Sequence, residues 1–330
     1  MTAKDYKELE DKIISLFKIG DKFQLNDVQY EISISGKAKP NKGRGEPKTD
    51  VFIRGISLDE EQIIDLKISV KMEMDNVFVE NKITPERFKS IFSKETQKLI
   101  SNKLYNETIP NMEFKDIFKA GRFPLGWKAE IAINDNRKKR IRVTVTREEA
   151  EEIYAGKKAL EKFKNAMVNK KIIMYSGIAE YILVTDITKV NSKEEVLSQL
   201  VPIVEYVNKD ENRVFDFILT GFHLYPREDK ANFLHCDGDR PVLIGVLWQY
   251  GKNGLLGKID INNLFEYSGN TLSDIAREAI IKAGANLTSK SAFWKSLQGK
   301  ISRKQLIFEK LNEKIKLKKP LRNQKTIMDF

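Results

Sequence analysis

The fold prediction starts from residues 63–72, Ile-Ile-Asp-Leu-Lys-Ile-Ser-Val-Lys-Met. Side chains alternate between the two faces of a β-strand, so a strand here has one apolar face and one polar face. The apolar face carries Leu66, Ile68 and Val70, and the polar face carries Lys67, Ser69 and Lys71. This stretch therefore predicts a strand that packs on a core with one face and presents chemical groups on the other.

A partner for this strand precedes it in the chain. Residues Thr49 to Arg54 include three consecutive apolar residues and predict a strand, and the acidic turn from Ser57 to Glu61 joins the two. Asp50 then lies at the edge of its strand rather than inside the core. An antiparallel pairing brings Asp50 beside Lys71. The pair therefore predicts a carboxylate, a hydroxyl and an ammonium group at one place on a sheet.

Patterns before this pair predict a helix, a strand and a loop. Apolar residues recur at helical spacing from Tyr6 to Lys18, and apolar and polar residues alternate from Phe23 to Ser35. The loop from Gly36 to Lys48 contains three glycines, two prolines and five basic residues. That composition is typical of a mobile, cationic loop.

Strands and helices alternate through the rest of the chain. Thr84 and Thr146 have the sequence context of helix N-caps. The strands at Trp127–Ile133 and Ile141–Thr146 are predicted to form a hairpin. Further strands are predicted near Lys171–Thr185, Val214–Leu224 and Val242–Tyr250, and helices near Thr84–Leu104, Thr146–Val168, Lys193–Asn208, Leu272–Ala283 and Phe293–Lys319.

This order of elements predicts the α/β class, in the wider sense that includes α+β, with a mixed central β-sheet flanked by helices. The predicted division is a core over residues 1–210, an additional C-terminal α/β region over residues 211–319 that ends in a basic helix, and a flexible tail over residues 320–330.

The charge balance favours a polyanionic partner. The chain has 58 Lys and Arg residues against 47 Asp and Glu residues, a formal charge of +11. Basic residues gather in runs such as Arg137–Arg140, and neutralising phosphates releases counterions. The same composition also suits a lysine-rich, solvated surface, so charge alone does not identify nucleic acid.

Metal and compartment predictions follow from the rarest residue types. The single cysteine, Cys236, excludes an intramolecular disulfide, and two histidines are too few for a Cys/His zinc site. Any metal should therefore be a hard ion held by oxygen. The N-terminus lacks the plan of a signal peptide, and no apolar run approaches the ~20 residues that span a bilayer. We expect a cytoplasmic protein with no membrane partner.

Two short motifs resemble the PD-(D/E)XK nuclease superfamily, also called restriction-endonuclease-like. The motifs are Pro47-Lys48-Thr49-Asp50 and Ile68-Ser69-Val70-Lys71, within the order helix, strand, Gly/Lys loop, strand, strand over roughly residues 1–105. The sequence departs from the superfamily pattern twice. Two residues separate Pro47 from Asp50, and Ser69 stands where the second carboxylate is expected.

The resemblance implies an Mg²⁺-dependent endonuclease that hydrolyses phosphodiester bonds in duplex DNA, with Mn²⁺ able to substitute. In this interpretation Asp50 holds the metal and Lys71 orients the attacking water or helps to deprotonate it. Ser69 supports the site. A restriction role and a DNA-processing role both remain open, and a homodimer is compatible with either.

The position of the second acid is open in the sequence. A known variation of the superfamily keeps Ser-x-Lys and takes the acid from a later element, which makes Glu80 the first candidate, with Glu73 behind it. Members of the superfamily also use an acid from the preceding helix or loop. Glu46 ranks first for that role because it is close to Asp50, and Glu31 and Glu10 compete with it.

Two basic segments are candidate contacts for the DNA backbone. They are the Gly/Lys loop and the turn of the predicted hairpin. The candidate residues are Lys37, Lys39, Lys42, Arg44, Lys48, Arg137, Lys138, Lys139 and Arg140.

The last residues resemble the sliding-clamp-binding peptide called the PIP box, in the form Gln-x-x-Ile-x-x-Phe. Gln324, Ile327 and Phe330 occupy its three fixed positions. The resemblance implies docking of the tail on a sliding clamp. A tail whose Ile327 and Phe330 fold back onto the domain is the alternative.

Two other interpretations of the whole chain remain. One is a non-catalytic DNA-binding or clamp-associated accessory protein that lost the acid at position 69. The other is a structural or RNA-associated protein in which Lys71 is a solvated strand residue and Asp50 caps a turn.

Overall fold

The computed structural model describes residues 3–59, 61–73, 77–80, 83–108, 122–133, 140–209, 213–230, 232–261 and 263–308. The predicted DNA contacts Arg137, Lys138 and Lys139 and the PIP-box residues Gln324, Ile327 and Phe330 lie outside these ranges. The protein belongs to the predicted α/β class in its wider sense, because helices flank a mixed sheet and a second, larger sheet.

The mixed sheet has six strands and contains the predicted strand pair. Its strands follow the order β1-β2-β3-β4-β10-β11, antiparallel except for the parallel pair β4 and β10. The strands are β1 (Lys22–Leu25), β2 (Val28–Lys37), β3 (Val51–Ser57), β4 (Ile63–Met72), β10 (Tyr181–Thr185) and β11 (Val201–Pro202).

The predicted strand from Phe23 to Ser35 is wrong in one respect, because the chain turns within it. Asn26 and Asp27 adopt left-handed backbone angles, with φ of 49° and 63°. They form the two-residue turn of a hairpin between β1 and β2, in which Leu25 pairs with Val28. Asn and Asp tolerate the left-handed region better than most residues, which explains the turn at this point.

The first helix, α1 (Ala3–Leu16), packs on the apolar face of the six-stranded sheet. Helical spacing brings Leu9, Ile13 and Phe17 to one side, and all three side chains are fully buried. Their partners in the core include Leu66, Ile68 and Val70 of β4. The predicted division of β4 into an apolar and a polar face is therefore confirmed.

The larger sheet has eight strands, in the order β13-β12-β6-β15-β16-β18, with β5 beside β6 and β7 beside β12. The long strands β6 and β12 form its middle. The strands are β5 (Val77–Glu80), β6 (Phe123–Ile133), β7 (Arg140–Thr144), β12 (Val214–Pro226), β13 (Leu234–Cys236), β15 (Ile244–Gly251), β16 (Gly254–Asp260) and β18 (Ile301–Phe308).

The predicted hairpin of residues 127–133 and 141–146 is wrong, because β12 lies between β6 and β7. Asp216 of β12 pairs with Ala132 on one side and with Arg142 on the other. The Asp216 carboxylate also accepts a hydrogen bond from Nε of Arg142 at 3.0 Å. A central strand forms hydrogen bonds with a neighbour on each side, and the local spacing of apolar residues does not show which strands are its neighbours.

Strands from both sides of residue 210 share the eight-stranded sheet, since β5, β6 and β7 precede that residue and β12, β13, β15, β16 and β18 follow it. The proposed domain limit at residue 210 stays a prediction. Two small pairs complete the strand set, β8 (Met167–Val168) with β9 (Lys171–Ile172) and β14 (Pro241–Val242) with β17 (Tyr267–Ser268).

Several helices are shorter than the sequence pattern predicts. Thr84 and Thr146 are N-caps as expected, but Ser93 caps a second helix within the first predicted span, and Gly156 ends the other with a left-handed φ of 74°. The helices after α1 are α2 (Pro85–Ile91), α3 (Lys94–Lys103), α4 (Arg147–Ala155), α5 (Glu161–Lys164), α6 (Lys193–Gln199), α7 (Ile203–Asn208), α8 (Gly269–Lys282) and α9 (Lys290–Leu297).

The predicted basic helix from Phe293 to Lys319 is wrong over residues 301–308. Helix α9 ends at Leu297, and Ile301–Phe308 form strand β18, which runs parallel to β16. The rest of that span, residues 309–319, lies outside the described ranges. In the part of the chain that the structure describes, no helix is both long enough and apolar enough to cross a bilayer.

Two carboxylates of α4 hold the helices α2 and α3 in place. Glu152 forms an ion pair with Arg87 of α2, and its main-chain oxygen accepts a second hydrogen bond from Nη2 of Arg87 at 2.6 Å. Glu149 accepts hydrogen bonds from the Ser93 amide at 2.9 Å and the Thr96 hydroxyl at 2.7 Å. Because Glu152 is only 2% exposed, its ion pair is strongly shielded from solvent.

We expect Glu152→Ala to lower the free energy of unfolding by roughly 3–5 kcal/mol, because it removes the nearest carboxylate from the part-buried Arg87 guanidinium. Chemical denaturation measures this loss. The matched control is Glu278→Ala, which breaks an exposed ion pair with Lys282 one helical turn away and should change the free energy of unfolding very little. Equal losses in the two variants would contradict the structural role of Glu152.

Candidate functional site

The candidate site lies where β3 begins beside β4. The Asp50 amide donates to the carbonyl of Ile68 at 2.8 Å, and Val51 pairs with Ile68 in the antiparallel register. Asp50 therefore lies directly across from Ser69. The structure brings these two predicted residues together.

The carboxylate of Asp50 is held by β4. Its Oδ2 accepts hydrogen bonds from the Val70 amide at 2.8 Å and from Oγ of Ser69 at 3.4 Å. Ser69 is almost completely buried, at 1% exposure, so a larger acid there would have to displace its neighbours. One carboxylate oxygen of Asp50 remains without a hydrogen bond to any residue in the described ranges.

The positive charge of Lys71 acts on the same carboxylate. Lys71 lies two residues beyond Ser69 on the same face of β4, and its charge opposes the rise in the pKa of Asp50 that burial causes. Lys67, on the same face before Ser69, forms an ion pair with Glu180 instead. Of these two lysines, Lys71 is thus the one whose charge acts on Asp50.

Helix α1 brings a second acid to the site. Glu10 is buried, at 7% exposure, and its pKa is raised by burial and then by the negative charge of Asp50. Tyr6, one helical turn earlier, also has its pKa raised, by burial and then by the charge of Asp50. Two side chains on one face of α1 therefore lie close to the start of β3.

The pKa values of both acids are raised, and burial is the main cause. Burial raises the pKa of Asp50 against the opposing effects of Lys71, the Val70 amide, Lys37 and Lys48. Burial and the charge of Asp50 raise the pKa of Glu10. Two acids that disfavour each other's ionised form would both gain from a nearby cation.

Lys37 of β2 supplies one such cation. It forms an ion pair with Glu10. Burial alone would lower the pKa of Lys37, but the bond to Glu10 and the charges of Asp50 and Glu46 raise it. The predicted DNA contact Lys37 is therefore part of the acidic cluster.

Glu80, the first sequence candidate for the second metal ligand, lies among cations. It forms an ion pair with Lys48, and its other oxygen lies 3.7 Å from Nε of Arg87. Lys48 in turn interacts electrostatically with Lys71 and Asp50. Burial lowers the pKa of Lys48, and the charge of Glu80 opposes that shift. Glu80 is thus linked to Asp50 through Lys48, with no direct contact to Asp50 among the described interactions.

Glu46, the preferred acid from the loop, is exposed to solvent. Its charge raises the pKa of Glu10, so Glu46 lies near the cluster. The other two weighed acids lie apart from these contacts in the described structure. Glu73 forms an ion pair with Lys189, and Glu31 of β2 is exposed.

The Gly/Lys loop packs on the segment that follows α4. Lys39 forms a β-bridge with Met167, and the Asn41 amide donates to the Lys162 carbonyl at 3.0 Å. The amides of Lys48 and Thr49 both donate to the carbonyl of Gly177, at 3.1 Å and 3.3 Å. The loop that was predicted to be mobile is thus hydrogen-bonded along its length.

The predicted DNA contacts fall into three groups in the structure. Lys39, Lys42 and Arg44 are exposed on the loop, whereas Lys37 and Lys48 are paired with acids. Arg140 begins β7 in the eight-stranded sheet. The exposed part of the loop is a basic surface that leads directly into Asp50.

A hard divalent cation fits the donor set around Asp50. Mg²⁺ is usually bound through one or two carboxylates together with water and substrate phosphates, and Asp50 and Glu10 offer two carboxylates. The buried hydroxyl of Thr49, the residue before Asp50, has no hydrogen-bond partner in the described ranges. Within the same ranges, no three acidic, histidine or cysteine side chains form a ready-made metal cluster.

Sequence reasoning named Glu10 but placed it behind Glu46. The signal that favours Glu10 is its position on α1, three residues before Ile13 and seven before Phe17. That spacing puts a carboxylate on the buried stripe of the helix, where a charge is costly without a function or a partner.

Comparison with protein-family models, with curated proteins and with solved structures found no match to this chain.

The pKa shift of Asp50 predicts how its substitution changes stability with pH. A carboxyl group whose pKa is raised by folding stabilises the protein at low pH, and this contribution is lost as the pH rises through the raised pKa. We therefore expect Asp50→Asn to melt at a higher temperature than the wild type at pH 7 in EDTA. The difference should shrink as the pH falls below the ordinary carboxyl pKa.

Asp59→Asn is the control of opposite sign. Hydrogen bonds from Ser57 and the Glu61 amide lower the pKa of Asp59, so this substitution should reduce stability at pH 7 and have less effect in acid. An Asp50→Asn variant that melts below the wild type at pH 7 would contradict the burial argument.

Proposed function

We propose that this protein is a metal-dependent DNA endonuclease of the PD-(D/E)XK kind, which hydrolyses phosphodiester bonds in duplex DNA. The observation that carries the proposal is the position of Asp50 across from Ser69, within the electrostatic reach of Lys71 and of the buried Glu10. A carboxylate, a lysine and a helix-borne acid at the edge of a mixed sheet match the layout that the sequence resemblance implies.

Asp50 and Glu10 are the residues that would hold Mg²⁺ or Mn²⁺. When bound, the ion would stabilise charge on the phosphate and favour an ionised water. Glu46 is the alternative second acid because its charge acts on Glu10. Glu80 has a different role in the proposal. Its ion pair with Lys48 orients the Lys48 ammonium group, whose charge interacts with that of Lys71.

Lys71 would act on the reacting groups. An ammonium group beside Asp50 can orient the attacking water and offset negative charge on the phosphate in the transition state. Ser69 has a supporting role, because its hydroxyl donates to Asp50 and fixes one carboxylate oxygen. The other oxygen can then point toward the metal and substrate.

The surroundings of the cluster suit DNA. Lys39, Lys42 and Arg44 are exposed on the loop that leads into Asp50, and their charges can contact the phosphate backbone on the way to the site. Tail residues Gln324, Ile327 and Phe330 would add an attachment to a sliding clamp in this proposal.

One observation favours a second function, a non-catalytic DNA-binding protein of the same ancestry. Ser69 replaces the expected acid, and the Lys37 ammonium already neutralises Glu10. Such a protein would keep the basic surface and lack cleavage activity. Metal binding and DNA cleavage, measured separately, distinguish the two functions.

Metal binding should depend on Asp50 and Glu10. A bound ion stabilises the folded state by about 2.7 kcal/mol at a concentration 100-fold above its Kd, so Mn²⁺ should raise the melting temperature of the wild type by several degrees. Asp50→Asn and Glu10→Gln should abolish this rise, and melting in EDTA shows whether each variant folds. Glu80→Gln is the matched control and should retain the rise. If only Glu80→Gln or Glu46→Gln abolishes it, the second ligand is the acid concerned.

Cleavage should depend on Lys71 and not on Lys67. With Mg²⁺ or Mn²⁺ and a mixture of modified and unmodified plasmid and phage DNA, we expect discrete fragments that EDTA prevents. Lys71→Met should lower the cleavage rate at least about 100-fold, as removal of a group that stabilises the transition state does. Lys67→Met removes an equivalent charge from the same face of β4 and should leave the rate unchanged. Intact DNA on every substrate would favour the non-catalytic function.

A further inference from the structure

The segment from Lys157 to Gly177 covers one side of the Gly/Lys loop. Asn165 links the two, because its main-chain carbonyl accepts a hydrogen bond from Nδ2 of Asn41 at 2.9 Å. Within the segment, Oδ1 of Asn165 accepts a hydrogen bond from the Tyr175 amide at 3.0 Å. We call the exposed surface of residues 39–44 and 157–175 the docking face. This face adjoins Asp50, because the carbonyl of Gly177 accepts hydrogen bonds from the amides of Lys48 and Thr49, the two residues before Asp50.

The docking face is strongly basic. Residues 157–171 contain six lysines and a single acid, Glu161, and residues 39–44 add three basic residues and no acid. Lys157 and Lys164 are paired with acids. Lys170 and Lys171 are exposed and form no ion pair within the described ranges. Nearly all of the exposed charge on this face is therefore positive.

Three neighbouring apolar or aromatic side chains project from the middle of this charge. Ile172, Met174 and Tyr175 are 62%, 62% and 54% exposed. Tyr175 also has a left-handed backbone, with φ of 58°, which is an outlier for a bulky residue. The bond from its amide to Asn165 holds that conformation. Strain of this kind persists where the surroundings fix it and often marks a binding site.

The backbone beneath these side chains is firmly packed. Val168 and Ile173 are buried in a small core with Ala38 and Phe52. Asn169 donates to the Ser35 carbonyl at 2.9 Å, and its Oδ1 would lie 2.7 Å from a Cβ on Gly36. Only glycine at position 36 leaves room for this contact. The exposed trio is thus carried on a rigid hairpin fixed to β2.

We propose that the docking face binds duplex DNA, with the lysines on phosphates and with Tyr175 and Met174 against base edges or steps in the groove. This inference rests on the proposed function and names the surface that recognises its substrate. Charge complementarity selects DNA as the occupant, because a face with one sign of charge fits a polyanion. Apolar side chains that insert at base steps, surrounded by phosphate-binding cations, are a known means of deforming duplex DNA.

Binding is measured by fluorescence anisotropy on labelled duplex DNA in EDTA, across a range of salt concentrations. The double variant Lys170→Gln and Lys171→Gln should reduce the slope of log K against log salt by about two, one for each phosphate that the variant no longer neutralises. The matched control is the double variant Lys230→Gln and Lys252→Gln, which removes the same charge from exposed turns elsewhere. The control should leave the slope unchanged.

Tyr175→Asn tests the aromatic side chain separately. Asparagine tolerates the left-handed backbone, so the hairpin should stay folded, and thermal melting checks this. Binding should weaken about fivefold or more, as removal of an aromatic group that packs on a base does, while the salt slope stays the same. Equal effects from the Lys170 and Lys171 double variant and its control, or unchanged affinity in Tyr175→Asn, would overturn the proposal.

Sedimentation velocity separates DNA from a protein occupant. If the docking-face variants dissociate a dimer and leave DNA affinity unchanged, the face is an interface between copies of the chain and the proposal fails. The readout in EDTA does not depend on cleavage. A protein that binds DNA through this face but never cuts it would overturn the nuclease function and leave the docking face in place.

Discussion

The carboxylate of Asp50 accepts a hydrogen bond from the Val70 amide across the β3–β4 pair. This one hydrogen bond fixes an acid at the edge of the six-stranded sheet. Asp50 lies just before β3, where its own amide bonds to Ile68. The side chain therefore takes over the pairing that the strand would otherwise continue. Because both bonds end on β4, the acid keeps its place only as long as the strands keep their register, and that register depends on the apolar face beneath.

Most charged side chains around Asp50 form acid–lysine pairs, so the cluster is close to neutral. Lys37 balances Glu10, and Lys48 balances Glu80. Asp50 itself has a raised pKa despite its neighbouring lysines. Buried ion pairs contribute little net stability and are costly to break, and their presence at this edge is one reason for the proposed charged ligand.

The sequence predicted those elements whose pattern is long and local. Strand β4 was predicted with its observed bounds, because alternation continues without a break from Ile64 to Met72. The β1–β2 hairpin was missed although the alternation changes phase at the turn, from Phe23 and Leu25 before it to Val28 and Tyr30 after it. Placing β12 between β6 and β7 requires pairing across about 70 residues, which local spacing cannot indicate. In the site, the juxtaposition of Asp50 and Ser69 follows from antiparallel register alone, whereas the role of Glu10 depends on how α1 docks.

That dependence on α1 gives the serine at position 69 a physical meaning. An acid at this position would be nearly fully buried, directly across from Asp50, and would repel it at close range. An acid on α1 reaches Asp50 from another layer, with Lys37 to offset its charge. The cost is that Glu10, the second acid of the proposed site, is positioned by hydrophobic packing, since its neighbours Leu9 and Ile13 are buried in the core between helix and sheet. In a strand-borne motif the sheet alone holds both acids, but here the core between helix and sheet must be intact for the two to meet.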